Sequence, residues 1–271
     1  MPRVETPLGG LGVAEQGVAA AQSGGGIPII FLHGVGSDKS VWRPQLDHFG
    51  RTRRALAFDY PGYGDSDPAA NGTTRDDYAA AILAAMDALD VAEAHICGLS
   101  LGGVIAIAMH AAAPHRCASL VIADSFVMHP DGRGIYLRGL EASTTVGMRA
   151  LAEARAPLLL GPCAPDELRD EVVATMARID PAAFRIGLEA VWLADQRNRV
   201  AAIAVPTLVI VGEEDKVTPP NLSSELTQAI AGARMHMIAG AGHLANTEQP
   251  QAFNQLVEEF VAGVEAVGGR R

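Results

Sequence analysis

Cysteine is scarce in this chain. Only Cys97, Cys117 and Cys163 occur, and they are far apart. Three scattered thiols make neither a disulfide framework nor a zinc cluster, and they point to a reducing, cytoplasmic setting. Cys97 falls in an apolar stretch and is read as core. Positive charge is also in deficit. Lys and Arg number 21 against 31 Asp and Glu, a net charge of -10, with no basic cluster. That balance argues against nucleic acid and against an anionic membrane surface as partners. No run of residues is long and apolar enough to span a bilayer. The opening Met1-Pro2-Arg3-Val4-Glu5-Thr6 lacks the apolar region of a signal peptide. Internal repeats and metal-like ligand spacings are missing as well. Asp59 stands among turn formers without companion ligands, so it is read as turn-forming; no metal and no cofactor are expected.

What the chain does have is regular alternation. At 271 residues and 49% hydrophobic content it is near the upper size for one core. Apolar strands are expected at Ile27–Leu32, Arg54–Phe58, Ala94–Cys97 and Leu120–Ala123. Between them, Ser40–Phe49 has helical periodicity with Trp42 and Leu46 on one face. A second helix, capped by Thr73 or Thr74, carries Tyr78, Ile82, Met86 and Leu89. Gly9 to Gly26 is expected to make edge strands and turns. Strand-helix alternation of this kind implies a mostly parallel sheet with helices on both faces, an α/β class. From Phe126 to Val200 the alternation stops. Three helical stretches are expected there, Arg138–Glu153, Asp166–Ile179 and Pro181–Asp195, the last started by Asp180 and Pro181. The strand pattern returns at Pro206–Gly212 and Arg234–Ile238, with helices at Leu222–Ile230 and Pro250–Val261. The expected organisation is a core domain of residues 1–125 and 201–271, interrupted by a helical cap at 126–200.

The most informative stretch is Cys97-Gly98-Leu99-Ser100-Leu101-Gly102-Gly103. It reads Gly-x-Ser-x-Gly, between a short strand and a run, Val104 to Ala113, that is apolar all round and stopped by Pro114. Strand, sharp turn and helix form the setting of a nucleophile elbow. A serine at such an apex is held in strained backbone with its hydroxyl clear of the sheet. Small residues at Gly98 and Gly102 avoid collision, and the helix aims its free N–H groups at the serine. Leu101 N–H then suits an oxyanion.

Two more residues follow strand ends, where open α/β sheets place their ligands: Asp215 and His243. Asp124 is a rival to Asp215, since it too follows a strand, and Glu214 is a weaker one. The order Ser, Asp, His matches α/β-hydrolases. The chain resembles that family from Ile27 to Phe260, through His33-Gly34-Val35-Gly36, Asp59-Tyr60-Pro61-Gly62-Tyr63-Gly64-Asp65-Ser66, the Ser100 elbow, Gly212-Glu213-Glu214-Asp215 and Gly240-Ala241-Gly242-His243. Within it, Gly98-Leu99-Ser100-Leu101-Gly102-Gly103 and a helical cap look most like the 3-oxoadipate enol-lactonase and carboxylesterase branch.

The resemblance implies an α/β-hydrolase fold and a triad of Ser100, Asp215 and His243. It puts the second oxyanion donor at Val35 N–H, beside Leu101 N–H. His33 lies near the site and is read as loop-shaping; Phe126, Met128 and Trp192 lie in or beside the cap, where they either line a pocket or pack within it. The expected partner is a small ester or lactone, an enol-lactone among the candidates, cleaved through an acyl-enzyme. The same triad also serves C–C bond hydrolases and cofactor-free perhydrolases, and a catalytically silent receptor of this fold is a further alternative. An aspartate at the elbow would indicate an epoxide hydrolase or dehalogenase; here the residue is Ser100. No family motif offers an arginine pair for a dicarboxylate, and the cap sequence carries no readable specificity signal.

Overall fold

The computed structural model describes residues 2–18 and 25–268. Part of the glycine-rich stretch expected to form edge strands and turns, residues 19–24, lies outside the described residues. The chain begins with strands β1 (Arg3–Thr6), β2 (Gly9–Gln16) and β3 (Gly26–Leu32). A 3₁₀ turn at Lys39–Trp42 leads into α1 (Arg43–Phe49), β4 (Arg53–Phe58) and α2 (Arg75–Ala88). Next come β5 (Ala94–Leu99), α3 (Leu101–Ala112) and β6 (Cys117–Ala123). Then a helical segment follows: α4 (Gly132–Thr145), α5 (Gly147–Leu159), α6 (Asp166–Ala177), α7 (Pro181–Trp192) and the short α8 (Arg197–Val200). The chain closes with β7 (Thr207–Gly212), α9 (Pro220–Ala229), β8 (Arg234–Ile238), α10 (Ala245–Glu248) and α11 (Pro250–Gly268).

The eight strands form one sheet in the order β1-β2-β4-β3-β5-β6-β7-β8. β1 and β2 pair antiparallel, β2 runs antiparallel to β4, and the pairs from β4 to β8 are parallel. Alternate residues of each strand serve two separate cores, as the period-2 pleat requires. Ile30, Leu32, Ile96, Leu120 and Ile122 face one core, with residues of α2, α3 and α9. Ile29, Phe31, Cys97, Leu99 and Val121 face the other, against α1 and α11. Strands buried on both faces read as continuous apolar runs, which is why these were visible in the sequence.

Two local expectations are refined. The cap of α2 is Thr74 rather than Thr73: its hydroxyl accepts the Asp77 N–H at 3.3 Å, and the Asp77 carboxylate accepts the Thr74 N–H at 2.8 Å. The helix expected over Arg138–Glu153 is two helices, α4 and α5. The chain breaks at Val146-Gly147, where Gly147 has φ +80°, a conformation open to glycine at no steric cost. Thr144 and Thr145 hydroxyls both donate back to Glu141 O just before the break, a pattern that loosens a helix end.

Candidate active site

The turn from β5 into α3 puts Ser100 at φ 55°, ψ -113°. That left-handed backbone costs a residue with a side chain about 1–3 kcal/mol. The turn is tight enough that a Cβ on Gly98 would lie 2.1 Å from Gly102 O, and one on Gly102 would lie 2.0 Å from Leu32 O. The two glycines are therefore compulsory, Gly98 because it passes against the turn and Gly102 because it passes against β3. Ser100 N–H donates to Ala123 O at 2.9 Å, and Ser125 Oγ donates to Ser100 O at 3.0 Å, so β6 and the residue after Asp124 hold the elbow from the side.

The acid loop follows β7. Asp215 is buried, and its carboxylate receives four donors. Oδ1 accepts Val217 N–H at 2.8 Å and Thr218 N–H at 2.9 Å. Oδ2 accepts the Thr218 hydroxyl at 2.7 Å and pairs with His243 Nδ1 at 2.8 Å. Burial pushes this carboxyl up, but the facing imidazole and these hydrogen bonds outweigh it and bring the group down to about 2. Asp215 thus faces the ring as an anion, and its contact at Nδ1 leaves Nε2 as the ring's other nitrogen.

His243, also buried, sits on a loop that is held from both sides. Its N–H donates to Leu159 O, at the end of α5, at 2.8 Å. Glu248 of α10 accepts the Gly242 N–H at 2.9 Å and the Gly161 N–H at 2.7 Å. Glu248 and Thr218 are supporting residues that sequence reasoning did not single out as such; a lone glutamate five positions past a histidine carries no motif.

Ser100 and His243 line a common cavity of about 180 Å³, together with Val35, Leu99, Arg155, Leu159 and Trp192, among others. Among the described residues no hydrogen bond joins Ser100 Oγ to the imidazole; such bonds are commonly long before substrate binds. Neither Val35 N–H nor Leu101 N–H donates a hydrogen bond among the described residues, so both remain open to a ligand.

Of the four residues placed near the pocket, His33, Phe126, Met128 and Trp192, the structure puts Trp192 in the cavity wall and the other three outside it. His33 is fully buried behind the loop, its Nδ1 2.8 Å from Gly34 O and its ring 4.2 Å from that of Tyr60. Burial pushes its pKa down, so it is neutral and shapes the loop. Phe126 is fully buried and stacks on Trp192 at 5.7 Å, buttressing the cavity wall rather than forming it. Met128 is 41% exposed and bridges to Asp195, on the outer side. Asp59 is a turn former with a buried cation: it accepts Lys39 N–H at 2.8 Å and Asp65 N–H at 2.9 Å, and pairs with Lys39 Nζ at 2.5 Å.

Arg155 on α5 is the residue that pattern reading passed over. It lines the cavity half-buried, and among the described residues it has no hydrogen bond and no ion pair. Burial alone acts on it, lowering its pKa, with no carboxylate to offset the cost. Glu171 lines the same cavity but is not within ion-pair distance of it. No sequence signal marks one arginine of a helix as pocket-facing.

The sequence matches the Alpha/beta hydrolase family over residues 29–256. The chain belongs to that family. This hydrolase is 29% identical to 3-oxoadipate enol-lactonase 1 of Acinetobacter baylyi, over 88% of this chain and 89% of that one. It is 28% identical to a 2-hydroxy-6-oxononadienedioate/2-hydroxy-6-oxononatrienedioate hydrolase of Cupriavidus pinatubonensis, over 86% of both chains. Its structure superposes on the enol-lactonase from Burkholderia xenovorans LB400 with a TM-score of 0.88, at 28% identity, covering 96% of this chain and all of that one. The eight-stranded sheet is thus the α/β-hydrolase sheet. Among the described residues no helix of this hydrolase is long and apolar enough to cross a membrane.

Proposed function

We propose that this hydrolase cleaves small carboxylic esters or lactones through an acyl-enzyme on Ser100. The observation that carries the reading is the strained Ser100 opening onto the same cavity as His243, whose Nδ1 is 2.8 Å from an ionised, four-donor Asp215. In this reading His243 Nε2 takes the serine proton as Oγ attacks the carbonyl carbon. The carbonyl oxygen gains negative charge between Val35 N–H and Leu101 N–H, where each donor is worth about 3 kcal/mol of transition-state stabilisation. The tetrahedral centre collapses, the C–O bond to the leaving group breaks, and that oxygen receives the proton from His243. Water then repeats the sequence on the acyl-enzyme and frees Ser100. Asp215 fixes the tautomer and balances the imidazolium.

Residues 126–200 act as a cap over the core formed by 1–125 and 201–271, and the cavity beneath is small. Arg155 refines the substrate. An unpaired, half-buried guanidinium in the cavity suits a substrate carboxylate at the far end of the acyl group. The relatives named for an oxoadipate lactone and for dioates agree with that choice. Because the second of those is not named for an ester, C–C cleavage of a diketone by the same triad is the alternative reading. Cys97 and Cys117 buried and Cys163 exposed, all free, suit the reducing cytoplasm, the compartment this reading assigns.

The test is fluorophosphonate labelling, with the adduct located by peptide mass spectrometry, followed by a panel of neutral esters, half-esters, lactones and diketones. Adduct on Ser100 and turnover of esters or lactones are expected. An unlabelled Ser100 in folded protein overturns the reading, and preference for the diketone selects the alternative.

A further inference from the structure

Asp124 stands one residue past β6, on the sheet edge that carries Ser100 and Asp215, and the reaction above gives it no task. It is fully buried and adopts left-handed backbone at φ 47°. Its N–H donates to Ile210 O at 2.9 Å, and its Oδ1 accepts the Gly212 N–H at 2.8 Å. Its Oδ2 is buried and meets no donor among the described residues. One oxygen of Asp124, one of Asp215 and one ring nitrogen of His243 lie within 4.8 Å of one another. The titratable groups facing it are Asp215 after β7, His243 after β8 and Glu248 of α10. No lysine or arginine pairs with it among the described residues.

Two carboxylates this close and this dry do not both stay ionised, because repulsion and lost hydration each disfavour the second charge. The donors decide which one keeps the proton. Asp215 has four and Asp124 has one. Burial first, and the Asp215 charge second, push the Asp124 carboxyl well above the usual range, against the single Gly212 donor.

We infer that Asp124 is a positioning residue that works as a neutral carboxylic acid, its Oδ1 fixing Gly212 at the head of the acid loop and its Oδ2 proton leaving one negative charge, not two, beside His243. The inference rests on the triad reading above. Gly212 O in turn accepts the Asp215 N–H at 3.2 Å, so the anchor reaches the triad acid within three residues. A second charge at this place would hold the imidazolium too firmly to hand its proton to the leaving group.

The experiment compares wild type, Asp124→Asn, Asp124→Ala and Asp215→Asn. Asparagine keeps the oxygen that accepts from Gly212 and is neutral at every pH. Asp124→Asn is expected to hold kcat and KM within about threefold of wild type and to leave the acid limb of kcat/KM unmoved. Asp124→Ala loses the anchor, and kcat is expected to fall about tenfold with KM little changed. Urea unfolding gives the charge state directly. A group whose folded pKa is raised contributes stability at low pH that is lost as pH rises. Above the ordinary carboxyl range, wild type should therefore lose about tenfold in its folding equilibrium constant per pH unit relative to Asp124→Asn, until Asp124 itself ionises. The infrared C=O band of a buried protonated acid should be present in wild type and absent in Asp124→Asn. A stability difference flat with pH, with the acid limb of Asp124→Asn moved down by about one unit, overturns the inference by showing an ionised Asp124. So does a loss of several orders of magnitude in Asp124→Asn while Asp215→Asn stays active, which makes Asp124 the triad acid. Where Asp124→Ala does not fold, Asp124→Asn alone decides. Unfolding and infrared need no turnover, so they report on Asp124 even if Ser100 proves unlabelled.

Discussion

The carboxyl edge of the sheet and the helical segment above it are built on different rules. At the edge, position is set by backbone. Ser100 and Asp124 both sit at positive φ, Asp215 is held by two backbone N–H groups, and His243 is fixed through its own N–H. In the segment between β6 and β7, position is set by side chains on helices. Arg155 and Trp192 meet the cavity from α5 and α7 without backbone peculiarity, and the break at Gly147 touches nothing within 4 Å of where its Cβ would be. In the proposed mechanism, chemistry depends on a few fixed conformations, and selectivity on residues that can be exchanged one at a time.

The sharpest way to break that contrast is at the edge. Ser100→Ala should lower kcat by about 10⁶-fold and abolish fluorophosphonate labelling, with the unfolding midpoint nearly unchanged. Retention of most esterase activity would remove Ser100 from the mechanism. Asp215→Asn comes next, at about 10⁴-fold in kcat, because the amide favours the wrong imidazole tautomer. In the segment, Arg155→Ala should raise KM about 10- to 100-fold for methyl hydrogen succinate and leave methyl butyrate unaffected. An equal loss on both esters would mean that Arg155 holds structure and not substrate. Trp192→Ala should have the smallest effect, reordering acetate, butyrate and octanoate esters by about tenfold or less while Ser100 still labels. If it instead lowered kcat on every ester by orders of magnitude, the two regions would not be separable.

Acid sharpens the same contrast through stability. The folded state holds Asp215 at about 2, below its ordinary 3.8. A lowered folded pKa contributes stability that is present above the unfolded value and lost as pH falls through the folded one. Asp215 should therefore contribute about 2 kcal/mol near neutrality, fading between about pH 4 and pH 2. Urea unfolding at pH 6 and pH 3 should show wild type losing more than Asp215→Asn; parallel losses would contradict the ionised, buried acid.

The legible part of the molecule was the part under steric compulsion. Gly98 and Gly102 are glycine because a Cβ would enter Gly102 O and Leu32 O, and a spacing so forced is visible as a motif. Strands buried on both faces were visible as apolar runs, and the family match covers them. The order of β4 and β3, the strand β1, and the antiparallel pairing of β1 and β2 were not legible, because pairing partners leave no mark in single-strand composition. The pocket was the least legible. Phe126, in the loop after β6, and Trp192, at the end of α7, are both aromatic and stacked, yet Trp192 lines the cavity and Phe126 stands behind it, a difference of placement in the fold that hydrophobicity does not encode. Arg155 left no mark for the converse reason: an arginine on a helix is ordinarily solvated, and only the absence of a partner among the described residues sets it apart.

The loop of His243 is tied to the last turn of α5, through Leu159 O and through the Glu248 bridge from Gly242 to Gly161. A seam between transplantable parts therefore does not run where the strand pattern stops and resumes. Anyone exchanging the helical segment between relatives to redirect selectivity would, by cutting at β6 and β7, carry away part of the mounting of the imidazole. The workable joints lie inside that boundary. Leu159–Gly161 stays with the recipient, and the donor supplies helices on either side of it, so that His243 keeps its own fastening while the helices around the cavity change.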